Sequence, residues 1–150
     1  MRGTWLAAVL TCVALHPAVV SAKDAAQASP EAGSRTYIQN FKDMVLAECL
    51  VTAYKQAPGV SKDIGSSASA LRDWTYYDME RAPDVVQSLV AGYLAHDYRN
   101  PVVESDVKDV KFDFLKCMDL YHGKALDTAA RTLVLRPNGT YRSESGKKPR

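Results

Sequence analysis

Three cysteines and three histidines are the residues in this 150-residue chain whose types could carry nucleophilic or metal chemistry. A papain-type site needs a thiol of lowered pKa near a helix N-terminus, beside a histidine. Cys117 falls in the middle of a helical pattern. His122 follows it by five residues, which sets the two side chains about 140° apart around a helix of 3.6 residues per turn. That pair does not make a nucleophile and its base. Metal chemistry is no better served. The sequence has no His-x-x-x-His, no clustered Cys and His, and no acidic loop closing on a Glu at the spacing a calcium site requires. Gly-rich phosphate loops are absent too, and no cofactor is expected. His96 and His122 read as helix-end residues. Asn138-Gly139-Thr140 fits a glycosylation sequon, a pattern short enough to arise by chance. The chain is expected not to be an enzyme.

The cysteines make better sense as structure. Met1 to Ala22 has the parts of a secretory signal: Arg2, an apolar run from Trp5 to Leu15, and the small residues Val20-Ser21-Ala22 before Lys23. The run is too short to cross a bilayer as a helix. Cleavage between Ala22 and Lys23 is expected to remove Cys12, which follows Thr11 rather than the small residue a lipidation site prefers. Cys49 and Cys117 then remain, an even pair in an exported chain, and only one disulfide can be formed from them. After cleavage 128 residues remain, enough for one domain with a core.

Charge is unevenly placed. From Arg136 to Arg150 there are five cations and one Glu, while Lys23 to Leu135 carries a balance of −3. An acidic body with a basic tail does not point to nucleic acid. The body suits a basic protein partner. No later run is long and apolar enough for a membrane span, so no membrane association is expected once the signal is removed.

The elements that would position these residues are helices. Residues 23–35 read as a flexible leader rich in Ala, Ser and Gln. Ile38, Phe41, Val45, Cys49 and Thr52 share one face of a helix capped by Thr36 and ended by Pro58-Gly59. Ser61 to Trp74 is a second candidate helix. Its small residues Gly65, Ser66, Ser67 and Ala68 would allow close helix packing, inside one chain or across a dimer, or else form a loop. Tyr76, Tyr77, Asp78 and Glu80 lie in a connector. Pro83 opens a third helix with a stripe of Val86, Leu89, Val90, Tyr93 and Leu94, which Asn100-Pro101 stops. Glu104, Asp106 and Asp109 mark an acidic loop. A fourth helix turns Phe112, Leu115, Met118 and Tyr121 inward, with Cys117 beside them. Gly123 breaks it, and Lys124 to Leu133 forms a last short helix. Residues 136–150 read as a basic, disordered tail. The fold class expected is all-α: a bundle of about five helices over residues 36–135, stapled by one disulfide.

Lys62-Asp63-Ile64-Gly65-Ser66-Ser67-Ala68-Ser69-Ala70 followed by Trp74-Thr75-Tyr76-Tyr77 resembles the signature of the type VI secretion amidase immunity proteins, fourth group. Val110 to His122, Ala47 to Tyr54 and Tyr93 to Tyr98 are similar to that family as well. The resemblance runs from about Tyr37 to Leu133. It implies a periplasmic helical homodimer that binds a cognate papain-like cysteine amidase, an effector that cuts peptidoglycan stem peptides. It further implies steric blocking, in which a loop and an adjoining helix enter the amidase groove, with no catalytic residue on the immunity side. Glu104, Asp106 and Asp109, with Asp78 and Glu80, are the candidate partner-binding acids, and Tyr76 and Tyr77 the candidate aromatic anchors. The alternative is a periplasmic small-ligand-binding or sensor domain, which would need an apolar cavity between helices.

Overall fold

The first long helix begins where its sequence supplies a cap. Thr36 accepts a hydrogen bond from the Gln39 amide, and the Gln39 side chain accepts one from the Thr36 amide at 2.9 Å, a capping box that opens α1 (Tyr37–Ala53). Phe41, Val45 and Cys49 are fully buried at spacings of four, as the expected face requires. The stripe is rotated from expectation, however: Tyr37, Met44 and Ala47 are buried, whereas Ile38 is half-buried and Thr52 exposed. Pro58 does not simply end this helix. It stands in the first turn of the next, α2 (Pro58–Asp73), where its missing N–H costs nothing.

The computed structural model describes residues 30–98 and 110–145. The chain divides into Met1–Pro30, of which Pro30 alone is described, and the compact unit Glu31–Arg150, whose described residues form everything reported below. The signal segment and its Ala22/Lys23 cleavage position lie outside the described residues. Of the leader, Glu31–Ser34 forms a 3-10 turn with Ala32 and Gly33 buried, so its last residues are packed rather than loose.

A connector leads from α2 to α3 (Ala82–Leu94), which starts with Pro83 in its first turn and buries Val86 and Val90. It stops at Leu94, short of Asn100-Pro101. Next come α4 (Asp113–His122) and α5 (Lys124–Leu133), parted at Gly123. A side chain at Gly123 would collide with the Tyr93 hydroxyl and the Asp119 carbonyl oxygen, so only glycine fits the junction. α5 matches expectation, with Leu126, Ala130 and Leu133 buried. α4 does not. Its buried face is Lys116, Cys117 and Leu120, while Phe114 and Leu115 are about half exposed. Disulfide bonding of Cys117 to Cys49 turns that edge of α4 toward α1 and carries Leu115 outward. Among the described residues the protein is all-α, with no strand and one disulfide, Cys49–Cys117. No helix among them is long and apolar enough to cross a membrane.

The segment after Leu133, expected to be disordered from Arg136 on, is tied down as far as Glu144. Tyr77 and Val134 form an antiparallel bridge, flanked by amide bonds from Leu135 to the Tyr76 carbonyl (3.1 Å) and from Asp78 to the Leu133 carbonyl (2.9 Å). Farther on, the carbonyls of Gly139 and Pro137 accept from the amides of Tyr37 (2.8 Å) and Ile38 (3.2 Å). These are first-turn amides of α1, which have no acceptor inside their own helix. The strap closes with α6 (Tyr141–Glu144), capped by Thr140, and Glu144 pairs with Arg136 at 2.8 Å. Expecting disorder from composition overlooked the backbone carbonyls, which are acceptors whatever side chains surround them.

α1 lies at the centre and contacts α2, α3, α4 and α5. Phe41, Leu120, Leu126 and Leu133 are the largest fully buried apolar side chains among the described residues. Asn40, also fully buried, donates to the carbonyls of Ala32 (2.8 Å) and Trp74 (3.1 Å), joining the N-terminal turn and the connector to α1.

Candidate functional site

The small residues of α2 divide by face. Ala68 is buried and Gly65 sits over Val51 of α1, a built Cβ meeting Val51 Cγ2 at 4.0 Å. Close packing inside the chain therefore belongs to Gly65 and Ala68. Ser66 and Ser67 are exposed and turn their hydroxyls back to the carbonyls of Lys62 (2.8 Å) and Asp63 (3.0 Å). Cys49 and Cys117 have Cα atoms 5.7 Å apart and no exposure, an inert staple rather than a reactive thiol.

The connector residues also separate. Tyr77 packs its ring edge-on against Phe41 with centroids 5.4 Å apart. Burial pushes its hydroxyl pKa up, against the opposing pull of Arg72. Tyr76 is exposed, lies 6.4 Å from the Tyr37 ring, and carries the Arg136 guanidinium over its face at 4.5 Å. Asp78 is occupied within the fold: its carboxylate accepts from the amides of Glu80 (3.1 Å) and Arg81 (2.9 Å) and so holds the turn that leads into α3. Glu80 is exposed. Glu104, Asp106 and Asp109 lie outside the described residues.

Between α2 and α3, over α1, runs a groove of about 590 Å³. Met44, Val86 and Val90 contribute its apolar lining, and Glu48, Arg72 and Met79 join them. Arg72 and Glu48 pair only loosely, at 3.9 Å with both side chains more than a third exposed. The groove can hold an apolar side chain or small ligand and offer it one guanidinium. Among the described residues no group of His, Cys, Asp or Glu could hold a metal ion.

Residues at the two ends of the segment between α3 and α4 are tied in a way that escaped sequence reasoning. Lys116, only 5% exposed, donates to the last-turn carbonyl of α3 at Leu94 (3.2 Å) and to Asp113 (2.9 Å). Tyr98 donates to Asp119 at 2.6 Å, which raises its pKa, and stacks on His96. Phe112 enters α4 with φ at +54°, the left-handed region, which non-glycine residues seldom adopt. The signal in sequence was Lys116 itself, three residues after Asp113 and beside the apolar stripe.

The family profile for type VI secretion system amidase immunity proteins, Tai4, matches residues 39–130. That span runs from the first turn of α1 into α5 and takes in the disulfide, the groove and both ends of the α3–α4 segment. The chain belongs to the Tai4 family. A similar solved structure, described with new type VI-secreted toxins and self-resistance proteins in Serratia marcescens, superimposes with a TM-score of 0.69. It is 23% identical and covers 89% of this chain and all of its own, so it supports the shared fold. No curated protein sequence matches. The Tai4 match leaves out the strap after α5, as well as Tyr37.

Proposed function

We propose that this chain is a periplasmic immunity protein that binds and sterically blocks a papain-like peptidoglycan amidase delivered by type VI secretion. The observation that carries the reading is the Tai4 match, which spans five helices rather than one motif. An inhibitor of this kind needs no chemistry of its own: occupying a groove that must admit a peptide is enough. The segment between α3 and α4, carrying Glu104, Asp106 and Asp109, is the proposed blocking element. The Lys116 contacts and the Tyr98–Asp119 bond fix the residues from which it springs. Exposed Ser66 and Ser67 on the outer side of α2 suit a homodimer contact, because small side chains allow close approach. Of the aromatic anchors, Tyr76 is proposed for the partner and Tyr77 for the core.

Titrating the chain from Lys23 into the amidase encoded beside its gene, while following release of stem-peptide fragments, tests this reading. Inhibition reaching completion near one protomer per amidase is expected; full activity in the presence of folded, oxidised protein would overturn it. Charge reversal at Glu104 and Asp106 is expected to slow association and flatten its salt dependence. The groove over α1 favours one second reading, a small-ligand-binding domain, since its volume lies in the range of such sites. A rise in melting temperature with an amphipathic carboxylic acid, blunted by Arg72→Gln, would support that reading.

A further inference from the structure

Asparagine followed by glycine is a chemically reactive pair, and the strap contains one. The chain has three asparagines, Asn40, Asn100 and Asn138. Asn100 precedes Pro101, whose nitrogen carries no hydrogen to lose and so cannot attack the side chain before it. Asn40 is fully buried in α1 with Phe41 after it, and its side-chain amide donates to the carbonyls of Ala32 and Trp74. Asn138 differs on each count. It is exposed, and Gly139 after it has no side chain to stand in the way. The Gly139 amide donates to the Arg136 carbonyl at 2.9 Å. That bond closes a four-residue turn with Pro137 second and Gly139 last, places these residues favour. The Gly139 carbonyl accepts from the Tyr37 amide at 2.8 Å, and Arg136 is itself held by Glu144 at 2.8 Å. The reactive nitrogen is therefore tied while the strap is seated and free when it lifts.

We propose that Asn138 is a site of spontaneous conversion to aspartate and isoaspartate, at a rate set by opening of the strap. In the open strap the Gly139 nitrogen loses its proton to water and attacks Cγ of Asn138. The new N–Cγ bond closes a five-membered succinimide ring. The Cγ–Nδ2 bond breaks, and the side-chain nitrogen leaves as ammonia with a proton taken back from water. A water molecule then opens the ring. Addition at Cγ breaks the bond just made and leaves aspartate. Addition at the main-chain carbonyl carbon breaks the original peptide bond and leaves isoaspartate, whose chain runs through Cβ and Cγ. One water is consumed, one ammonia is released, and nothing is oxidised or reduced. Isoaspartate puts one extra atom into the main chain between the carbonyls of Pro137 and Gly139. Those carbonyls accept from the amides of Ile38 (3.2 Å) and Tyr37 (2.8 Å), and the extra atom takes the two bonds out of their common register. Conversion is one-way, so a strap that has reacted no longer satisfies the first turn of α1. The proposal is independent of the amidase: it concerns how long the folded molecule keeps its strap.

The test incubates the chain from Lys23 to Arg150, which keeps the whole compact unit Glu31–Arg150, at mildly alkaline pH. Tryptic mapping then locates isoaspartate. Asn138 falls in the peptide from Thr132 to Arg142, because trypsin does not cut before Pro137. A synthetic peptide of that sequence gives the rate of the untied pair. The folded chain is expected to convert at Asn138, about thirtyfold more slowly than the peptide, in the range of a short segment that opens locally. Glu144→Gln removes the charge that holds Arg136 and should speed conversion in the folded chain about threefold. Asn138→Gln should yield no product at this position. Circular dichroism confirms that each variant is folded. In the isoaspartate form, separated by ion exchange, hydrogen exchange at the amides of Tyr37 and Ile38 should quicken. Equal rates in chain and peptide, or no product in the folded chain over about a hundred peptide half-lives, would overturn the proposal. So would a Glu144→Gln rate no faster than wild type, or unchanged exchange at Tyr37 and Ile38 in the isoaspartate form.

Discussion

Replacing Cys49 and Cys117 together by alanine removes the covalent tie between α1 and α4, and the cost can be worked from the structure. The bond closes a loop with a sequence separation of 68. In the chain-entropy treatment that loop restricts the unfolded chain by about 4 kcal/mol at 25 °C. Both cysteines have no exposure, so truncating them also leaves unfilled space in a packed core, adding about 1 kcal/mol. A total near 5 kcal/mol is much of a typical domain's stability. For a unit of this size it lowers the melting point by roughly 20 °C. The assay is urea unfolding followed by helical circular dichroism, with oxidised wild type and the double variant side by side. The variant's midpoint should fall and its slope should rise, because an unstapled chain exposes more surface when unfolded. A loss below about 1 kcal/mol would refute the loop-entropy reasoning and show the staple to be redundant with packing.

Other expectations follow from the strap, the α3–α4 contacts and the tyrosines. Gly139→Ala places a methyl 2.9 Å from the Tyr37 ring and 2.7 Å from the Glu144 carboxylate. It should cost about 1–3 kcal/mol in urea unfolding, and a neutral result would mean the strap is not seated as described. Lys116→Met keeps the unbranched stem but removes the ammonium and leaves Asp113 and the Leu94 carbonyl without their donor, at a cost of about 2 kcal/mol. Hydrogen exchange at the last turn of α3 should quicken in that variant, and unchanged exchange would show that Lys116 does not hold that end. Tyr37 and Tyr121 have raised pKa values, from burial first and then from Glu144 and Asp43 respectively. A folded-state pKa above the unfolded one gives stability that is complete below the ordinary tyrosine range and lost as pH rises through the folded value. Unfolding free energy should therefore fall on the alkaline side. Tyrosine absorbance should show late-titrating groups that Tyr37→Phe and Tyr121→Phe each diminish by one. Asp127, held low by its hydrogen bond to Lys42, acts in the opposite direction: its stability is present above the ordinary carboxylate range and lost in acid. Asp127→Asn should flatten the acid limb of the stability curve.

Side-chain periodicity made some of the fold legible and left other parts unread. α5 could be bounded to the residue, since Gly123 and a clean stripe of Leu126, Ala130 and Leu133 mark it. Phe41, Val45 and Cys49 gave the face of α1, and the count of cysteines after Cys12 gave the staple. α4 was turned wrongly because its inward face includes a lysine, and a pattern that counts charge as outside cannot see a buried Lys116 that donates to the Leu94 carbonyl and the Asp113 carboxylate. Pro58 can end one helix or open the next, and with only four residues between α1 and α2 it opens the next. The strap escaped because what binds it is main chain: the carbonyls of Pro137 and Gly139 meeting amides of α1 leave no trace in composition. For the expected partner surface, residue type pointed to Tyr76 and Tyr77 alike. Only packing separates them, since the phenyl ring of Phe41 takes one and leaves the other to solvent.

The strap also sets an order of assembly. α1 comes early in the chain, yet its first two amides find their acceptors about a hundred residues later, at Gly139 and Pro137. Its cysteine waits for Cys117, and its core face for Leu120, Leu126 and Leu133. A chain emerging N-terminus first can pair α1 with α2 but cannot finish it until the last described turn has arrived. The molecule therefore closes like a clasp rather than growing from one end, and a chain shortened before Gly139 would leave its central helix open at the start.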